Sequence, residues 1–276
     1  MKRLSSILAA LILVVAINFN AAVPIAAADS TAPTLASLSF NPTSTNVSLS
    51  AKRILVQARV MDETGVNSVS LRLIAPEGID NYDAQASWTT TPSQGTTDGT
   101  WIGTISIPRY AANGQWRVAM YMSDTLGNFD ELFEQEVTDA GFQGNYQVIS
   151  NNPDYTDPQL LSISFNPTSA DVSTDSETVV VRVRAQDNLS GVNYISVRLI
   201  APEGESGNDL STQWIISPEG QRNTFWLGTI TIPQGVAGGS WRVAVGLDDK
   251  VGNYDALFET ELSDLGFQGN YQVTSN

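Results

Sequence analysis

Leu71-Arg-Leu-Ile-Ala-Pro-Glu-Gly78 returns almost unchanged as Val197-Arg-Leu-Ile-Ala-Pro-Glu-Gly204. Each copy ends a run of alternating apolar and polar residues with a Pro-Glu-Gly break, the pattern of a strand that runs into a turn. Working outward, the pairing holds in order. Upstream, Phe40-Asn-Pro-Thr-Ser44 matches Phe165-Asn-Pro-Thr-Ser169. Downstream, Trp116-Arg-Val-Ala119 matches Trp241-Arg-Val-Ala244, and Gly141-Phe-Gln-Gly-Asn-Tyr146 matches Gly266-Phe-Gln-Gly-Asn-Tyr271. The period of about 125 residues is the size of a domain and far exceeds the roughly 20–50 residues of a solenoid unit. The sequence therefore predicts two copies of one module, residues 29–150 and 151–276, behind a leader over residues 1–28.

The copies share one rhythm. Strands are predicted near 35–40, 54–61, 68–74, 86–90, 101–107, 116–122 and 145–149, and near 160–165, 179–185, 194–200, 213–216, 225–232, 241–247 and 270–274. Seven or so short strands per module, with turns every 8–15 residues or so, point to an all-β fold of two tandem immunoglobulin-like antiparallel sandwiches. Asp130–Asp139 and its twin Asp255–Asp264 read equally as a strand edge or a short helical turn. Between the modules lies the polar, proline-stiffened joint Ser150-Asn-Asn-Pro-Asp-Tyr-Thr-Asp157, which separates two units while limiting their swing.

Lys2 and Arg3, the apolar run from Ile7 to Ile17 and Ala26-Ala27-Ala28 form the parts of a secretory signal. Pro24, Asn18 and Asn20 interrupt that run short of the ~20 residues a spanning helix needs. Secretion or periplasmic residence is expected, with no integral membrane segment once the signal is removed. The chain has no cysteine, so each module must be held by its own core rather than by disulfides. Loss of Lys2 and Arg3 takes the formal charge from −15 to −17, which argues against nucleic acid and anionic membrane as partners.

Asp29-Ser-Thr-Ala-Pro33, Asp187-Asn-Leu-Ser-Gly-Val192 and Asp249-Lys-Val-Gly-Asn253 resemble the D-x-T-A-P, D-x-x-S-G-V and D-x-x-G-N turns of bacterial Ig-like repeats in exported and surface proteins. The likeness covers nearly all of the mature chain. It departs at Asp62-Glu-Thr-Gly65, one residue shorter, and at Asp157, which replaces Ala32. The resemblance implies spacers, adhesive stalks, or calcium-binding or glycan-binding modules. Likeness to linker-calcium proteins such as cadherins implies a cation near Asn152-Pro-Asp154 and Asp157.

In such a sandwich the start of the first strand, the loop after the second and the loop after the sixth share a pole. Asp154, Asp157, Asp187, Asp249 and Asp255 are expected to gather there in the second module, and Asp29, Asp62, Asp124 and Asp130 in the first. Calcium takes six to eight oxygens from carboxylates, carbonyls and water, which Asp-rich turns supply. Asp also favours turns without any metal, because it bonds its own backbone. Trp116 and Trp241 begin apolar strands and are expected in the core. Trp88 and Trp214, beside the divergent loops 79–84 and 205–210, are expected to be the exposed pair and the alternative ligand site, for a glycan. No catalytic residue is assigned: the chain lacks His and Cys, the commonest base and the thiol nucleophile. The expected function is non-catalytic, an extracellular interaction or spacer element for a protein or glycan partner, with calcium as the candidate ion to stiffen its joint.

Overall fold

The computed structural model describes residues 29–76, 83–202 and 209–276. The leader 1–28 and most of the two divergent loops lie outside the described residues. The first repeat runs β1 (Thr34–Asn41), β2 (Ser44–Asn46), β3 (Lys52–Ile74), β4 (Asp83–Gln85), β5 (Ser87–Thr90), β6 (Thr96–Ile107), β7 (Gly114–Asp124), β8 (Phe129–Leu132), α1 (Glu134–Asp139) and β9 (Asn145–Ile149). The second runs β10 (Gln159–Asn166), β11 (Ser169–Asp171), β12 (Glu177–Gln186), β13 (Val192–Ile200), β14 (Leu210–Ser211), β15 (Gln213–Ile216), β16 (Asn223–Ile232), β17 (Gly239–Asp249), β18 (Tyr254–Leu257), α2 (Glu259–Asp264) and β19 (Asn270–Thr274). The described residues are all-β apart from the two short helices. Seven strands per repeat is an undercount, because two- to four-residue strands such as β2, β4, β8 and β11 are too short to show a period. The segments left open in the sequence are both things: a strand, β8 or β18, followed by one short helix.

The repeats differ at one strand. In the second, β12 belongs to the sheet β10-β12-β16-β15 and β13 to the sheet β11-β19-β17-β13-β14, to which β18 adds. The bend between them is residues 187–191, where the second repeat carries its extra residue. Without that residue, β3 runs unbroken and joins the strands of the first repeat into one nine-stranded sheet. Its Lys52–Met61 part pairs with β6, its Val66–Ile74 part with β7, and the register shifts between them.

Alternating apolar side chains fill the core of each repeat. On β3, Ile54, Val56, Ala58 and Val60 are all 0% exposed, and each fully buried aliphatic side chain of Val or Ile size contributes about 1.5–3 kcal/mol. Trp116 and Trp241 are buried as expected and donate their indole N–H to the carbonyls of Ala112 and Ala237. Each repeat has its own apolar cluster, with one crossing: Val251, from the second repeat, packs in the first repeat's cluster.

The most conserved-looking words of the internal repeat meet each other. Tyr146 donates its hydroxyl to the carbonyl of Pro42 at 2.9 Å, and Tyr271 to Pro167 at 3.0 Å. Phe40 and Phe165 pack on the same tyrosine rings at 5.4 and 5.5 Å. Burial pushes both phenols up to about 12, so each remains a donor at any physiological pH. The Phe-Asn-Pro-Thr-Ser and Gly-Phe-Gln-Gly-Asn-Tyr motifs are thus two halves of one closure, beside which β2 pairs with β9 and β11 with β19 in parallel.

Candidate metal centre

Two carboxylate triads stand at equivalent places. Asp29, Asp62 and Asp124 bring one oxygen each to within 4.8 Å of one another, and so do Asp154, Asp187 and Asp249. Local turn chemistry builds each arm. Asp62 lies in β3 and Asp187 at the end of β12, and each turns one oxygen, Oδ1, on its own loop. Asp62 Oδ1 accepts the backbone N–H of Thr64 and Gly65 at 2.9 and 2.8 Å, and Asp187 Oδ1 those of Leu189 and Gly191 at 3.1 and 2.5 Å. Asp124 and Asp249 close β7 and β17. Their Oδ1 accepts two backbone N–H groups, and their Oδ2 takes the side-chain amide of Asn128 at 2.6 Å and of Asn253 at 2.7 Å.

The third arm enters from the preceding chain. Asp29 bonds Thr31 with Oδ1 and receives the Thr64 hydroxyl on Oδ2 at 3.0 Å. Asp154 bonds Thr156 with Oδ1 and the Ser190 backbone N–H with Oδ2 at 2.8 Å. Asn128 and Asn253 then reach back to the carbonyls of Asp29 and Asp154 at 3.2 and 3.3 Å. The asparagine of the D-x-x-G-N turn is therefore a clamp between the first and third arms. Sequence reasoning saw that residue only as part of a turn, and its recurrence at both poles was the signal available.

One oxygen in each triad has no hydrogen-bond partner. Asp62 Oδ2 and Asp187 Oδ2 are buried and unbonded, in side chains only 5% and 7% exposed. A buried carboxylate oxygen without a donor is costly, and the same orphan recurs at aligned positions in clusters that could hold a metal ion. Flexible-turn carboxylates with carbonyls nearby are oxygen donors for a hard cation such as calcium, and the residues present fit one.

Three expected ligands do not join. Asp157 is exposed, past the turn that Asp154 makes with Thr156. Asp130 and Asp255 lie on β8 and β18, paired with Met122 and Leu247, a strand step away from the turns that hold the triads. Trp88 and Trp214 are half-buried rather than exposed. Their rings pack on the two cores, and their indole N–H groups donate to the carbonyls of Val69 and Ile195 at 2.8 and 2.7 Å. They wedge β5 and β15 onto the fold, so the anticipated sugar platform is not formed by them.

The triads differ in surroundings. Burial presses on the Asp124 carboxyl, but the bonds from Asn128 and Leu126 outweigh it and hold it below the usual carboxylate range. Burial pushes Asp249 up to about 6 despite the bonds from Asn253, Ser190 and Val251. The neighbouring side chain explains the difference in cover: Leu126 is 58% exposed, while its counterpart Val251 is 3% exposed within the first repeat's core. In EDTA this has a sign. A raised carboxyl pKa means the folded chain holds that proton more tightly than the unfolded one, so the contribution is complete below the ordinary value near 3.8 and is lost as pH rises through about 6. Melts at pH 5, 6 and 7 should show a midpoint that declines with pH more steeply than in Asp249→Asn; equal slopes would contradict this.

No protein-family model matches the chain, and no curated protein does. Among the solved structures that match is the crystal structure of dimeric latent PorU from Porphyromonas gingivalis, at 16% identity and a TM-score of 0.31. The match covers 92% of this chain and 21% of that one, so this chain spans about a fifth of PorU's length. A likeness at that score carries no argument about fold or activity.

Proposed function

We propose that the chain is an exported, non-catalytic pair of tandem immunoglobulin-like sandwiches, residues 29–150 and 151–276, which acts as an extracellular or surface interaction and spacer element with calcium stiffening its joint. The observation that carries this reading is the position of Asp154. Its carboxylate completes the second triad, while its backbone N–H donates to the carbonyl of Tyr110 in the first repeat at 2.9 Å. A cation held there ties the second repeat's pole to the segment that leaves the first. The signal-like leader and the cysteine-free, strongly acidic composition support export. In the described residues no helix is long and apolar enough to cross a membrane.

Calcium titration calorimetry tests the reading. Binding at both triads is expected, with Asp187→Asn removing the joint site and Asp62→Asn the other. Small-angle scattering should show the paired repeats less extended and more variable in EDTA than in calcium. An absence of calcium heat at millimolar concentration would sink the metal part. An unchanged scattering profile beside clear binding would sink the stiffening part alone.

A further inference from the structure

We propose that the first repeat carries a binding groove for a neutral polysaccharide, on the solvent face of β4-β3-β7-β8, at residues that neither triad uses. The groove has a volume of about 300 Å³, at the lower bound of small-ligand sites. Its floor is made of small residues, Ser70 on β3 and Ala119 on β7. One wall is aromatic, from Tyr121 and Phe133, and the other polar, from Arg72, Asp83 and Gln85. Strand register sets this arrangement: Arg72 lies opposite Gln85 on one side and Ala119 on the other, while Tyr121 lies opposite Ser70 and Glu131.

The chemistry selects the occupant. Arg72 pairs with Asp83 at 3.1 Å, which leaves Glu131 as the groove's unbalanced charge and disfavours an anion. Guanidinium and amide N–H groups stand with carboxylate oxygens on the same wall, so a ligand meets donors and acceptors together, as hydroxyl groups require. Across from them, Tyr121 is 36% and Phe133 46% exposed, and Phe129 stacks on Tyr121 with ring centroids 5.8 Å apart and planes at 26°. An apolar ring face opposite mixed hydrogen-bonding groups suits a sugar ring, which has an apolar face and a hydroxylated rim.

The second repeat lacks this platform. Gly246 takes the place of Tyr121, Ala256 that of Glu131 and Ser211 that of Gln85. Its Tyr254, counterpart of Phe129, lies over the glycine: a Cβ added at Gly246 would sit 2.9 Å from the Tyr254 hydroxyl and 2.7 Å from Ser196 Oγ. The fold is therefore served without the groove, and the first repeat's aromatic wall is additional to it.

Affinity electrophoresis of the full chain through gels containing laminarin, xyloglucan, galactomannan or mannan tests the proposal, with alginate as the anionic control. Retardation is expected in at least one neutral gel and not in alginate. Tyr121→Ala should weaken it by about tenfold or more, the scale of one lost aromatic contact. Tyr121→Phe should retain it, and Tyr254→Ala in the second repeat should leave it unchanged. Migration unaltered in all four neutral gels, equal retention by Tyr121→Ala, or retention in alginate alone would each overturn the proposal. Melting midpoints of the variants separate lost binding from lost folding.

Discussion

Calcium at about 10 mM is expected to raise the unfolding midpoint by roughly 5–10 °C over the same protein in EDTA. The size follows from mass action. Extracellular calcium modules bind with Kd values up to about 10⁻³ M, and at about ten times that Kd each of the two sites stabilises the folded chain by about 1.4 kcal/mol, about 2.8 kcal/mol together. For a chain of this size each kcal/mol moves the midpoint by about 2–4 °C. Part of the effect has a visible source. Asp154, Asp187 and Asp249 are 1%, 7% and 2% exposed, so without an ion their mutual repulsion is only weakly screened by water. Asp187→Asn should reduce the calcium shift by about half if both triads bind, because the first triad is intact. Magnesium should do less, since it demands octahedral geometry and gives up its waters reluctantly. Identical midpoints in calcium and EDTA would refute the cation sites. A calcium shift that Asp187→Asn leaves whole would refute the joint site specifically.

The six triad aspartates were legible because each is a turn residue that recurs at matched positions, and turn chemistry is local enough to read from a few neighbours. Asp157, Asp130 and Asp255 were misplaced for the opposite reason. Whether a side chain near a strand end faces a pole or the solvent depends on register and on which residue a turn consumes, and neither is written within the turn itself. The unbroken β3 was missed because Asp62-Glu-Thr-Gly65 reads as a turn, and only its shortness by one residue distinguishes it from the bend at Asp187–Gly191. The tryptophans were judged by their polar neighbours, whereas an indole that finds a carbonyl can close the edge of a sheet. The two aromatic motifs were visible only as repeats; that Tyr146 and Tyr271 close on Pro42 and Pro167 is a contact across about a hundred residues.

Those differences between the copies concentrate where the repeats touch. Tyr110 holds φ +70°, where the second repeat has Gly235 at +77°. A tyrosine in the left-handed region is uncommon, and at this joint its surroundings hold it. Arg222, replaced by Thr97 in the first repeat, donates to the Tyr110 hydroxyl at 3.0 Å, and Arg109 lies over the same ring at 4.3 Å. The Asp154 N–H bonds the Tyr110 carbonyl, and Val251 enters the first core beside it. This joint is specific to the contact between the first repeat's end and the second repeat's pole. The matching pole of the first repeat presents Leu126 to solvent.

Val251→Asp should therefore release the repeats from one another. The side chain buries apolar area worth about 1.5–3 kcal/mol, and a carboxylate set among the first repeat's apolar side chains is costly to desolvate, so separation of the surfaces is the cheaper outcome. Calorimetry should resolve two transitions where the native chain is expected to give one, and scattering should show an arrangement that stays variable in calcium as well as in EDTA. Leu126→Asp is the matched control: the same substitution at the same turn of the other repeat, at a side chain already 58% exposed, should alter stability by no more than about 0.5 kcal/mol. If both variants behave alike, Val251 is not what couples the repeats, and the bonds made by Asp154 and Arg222 hold the joint without it.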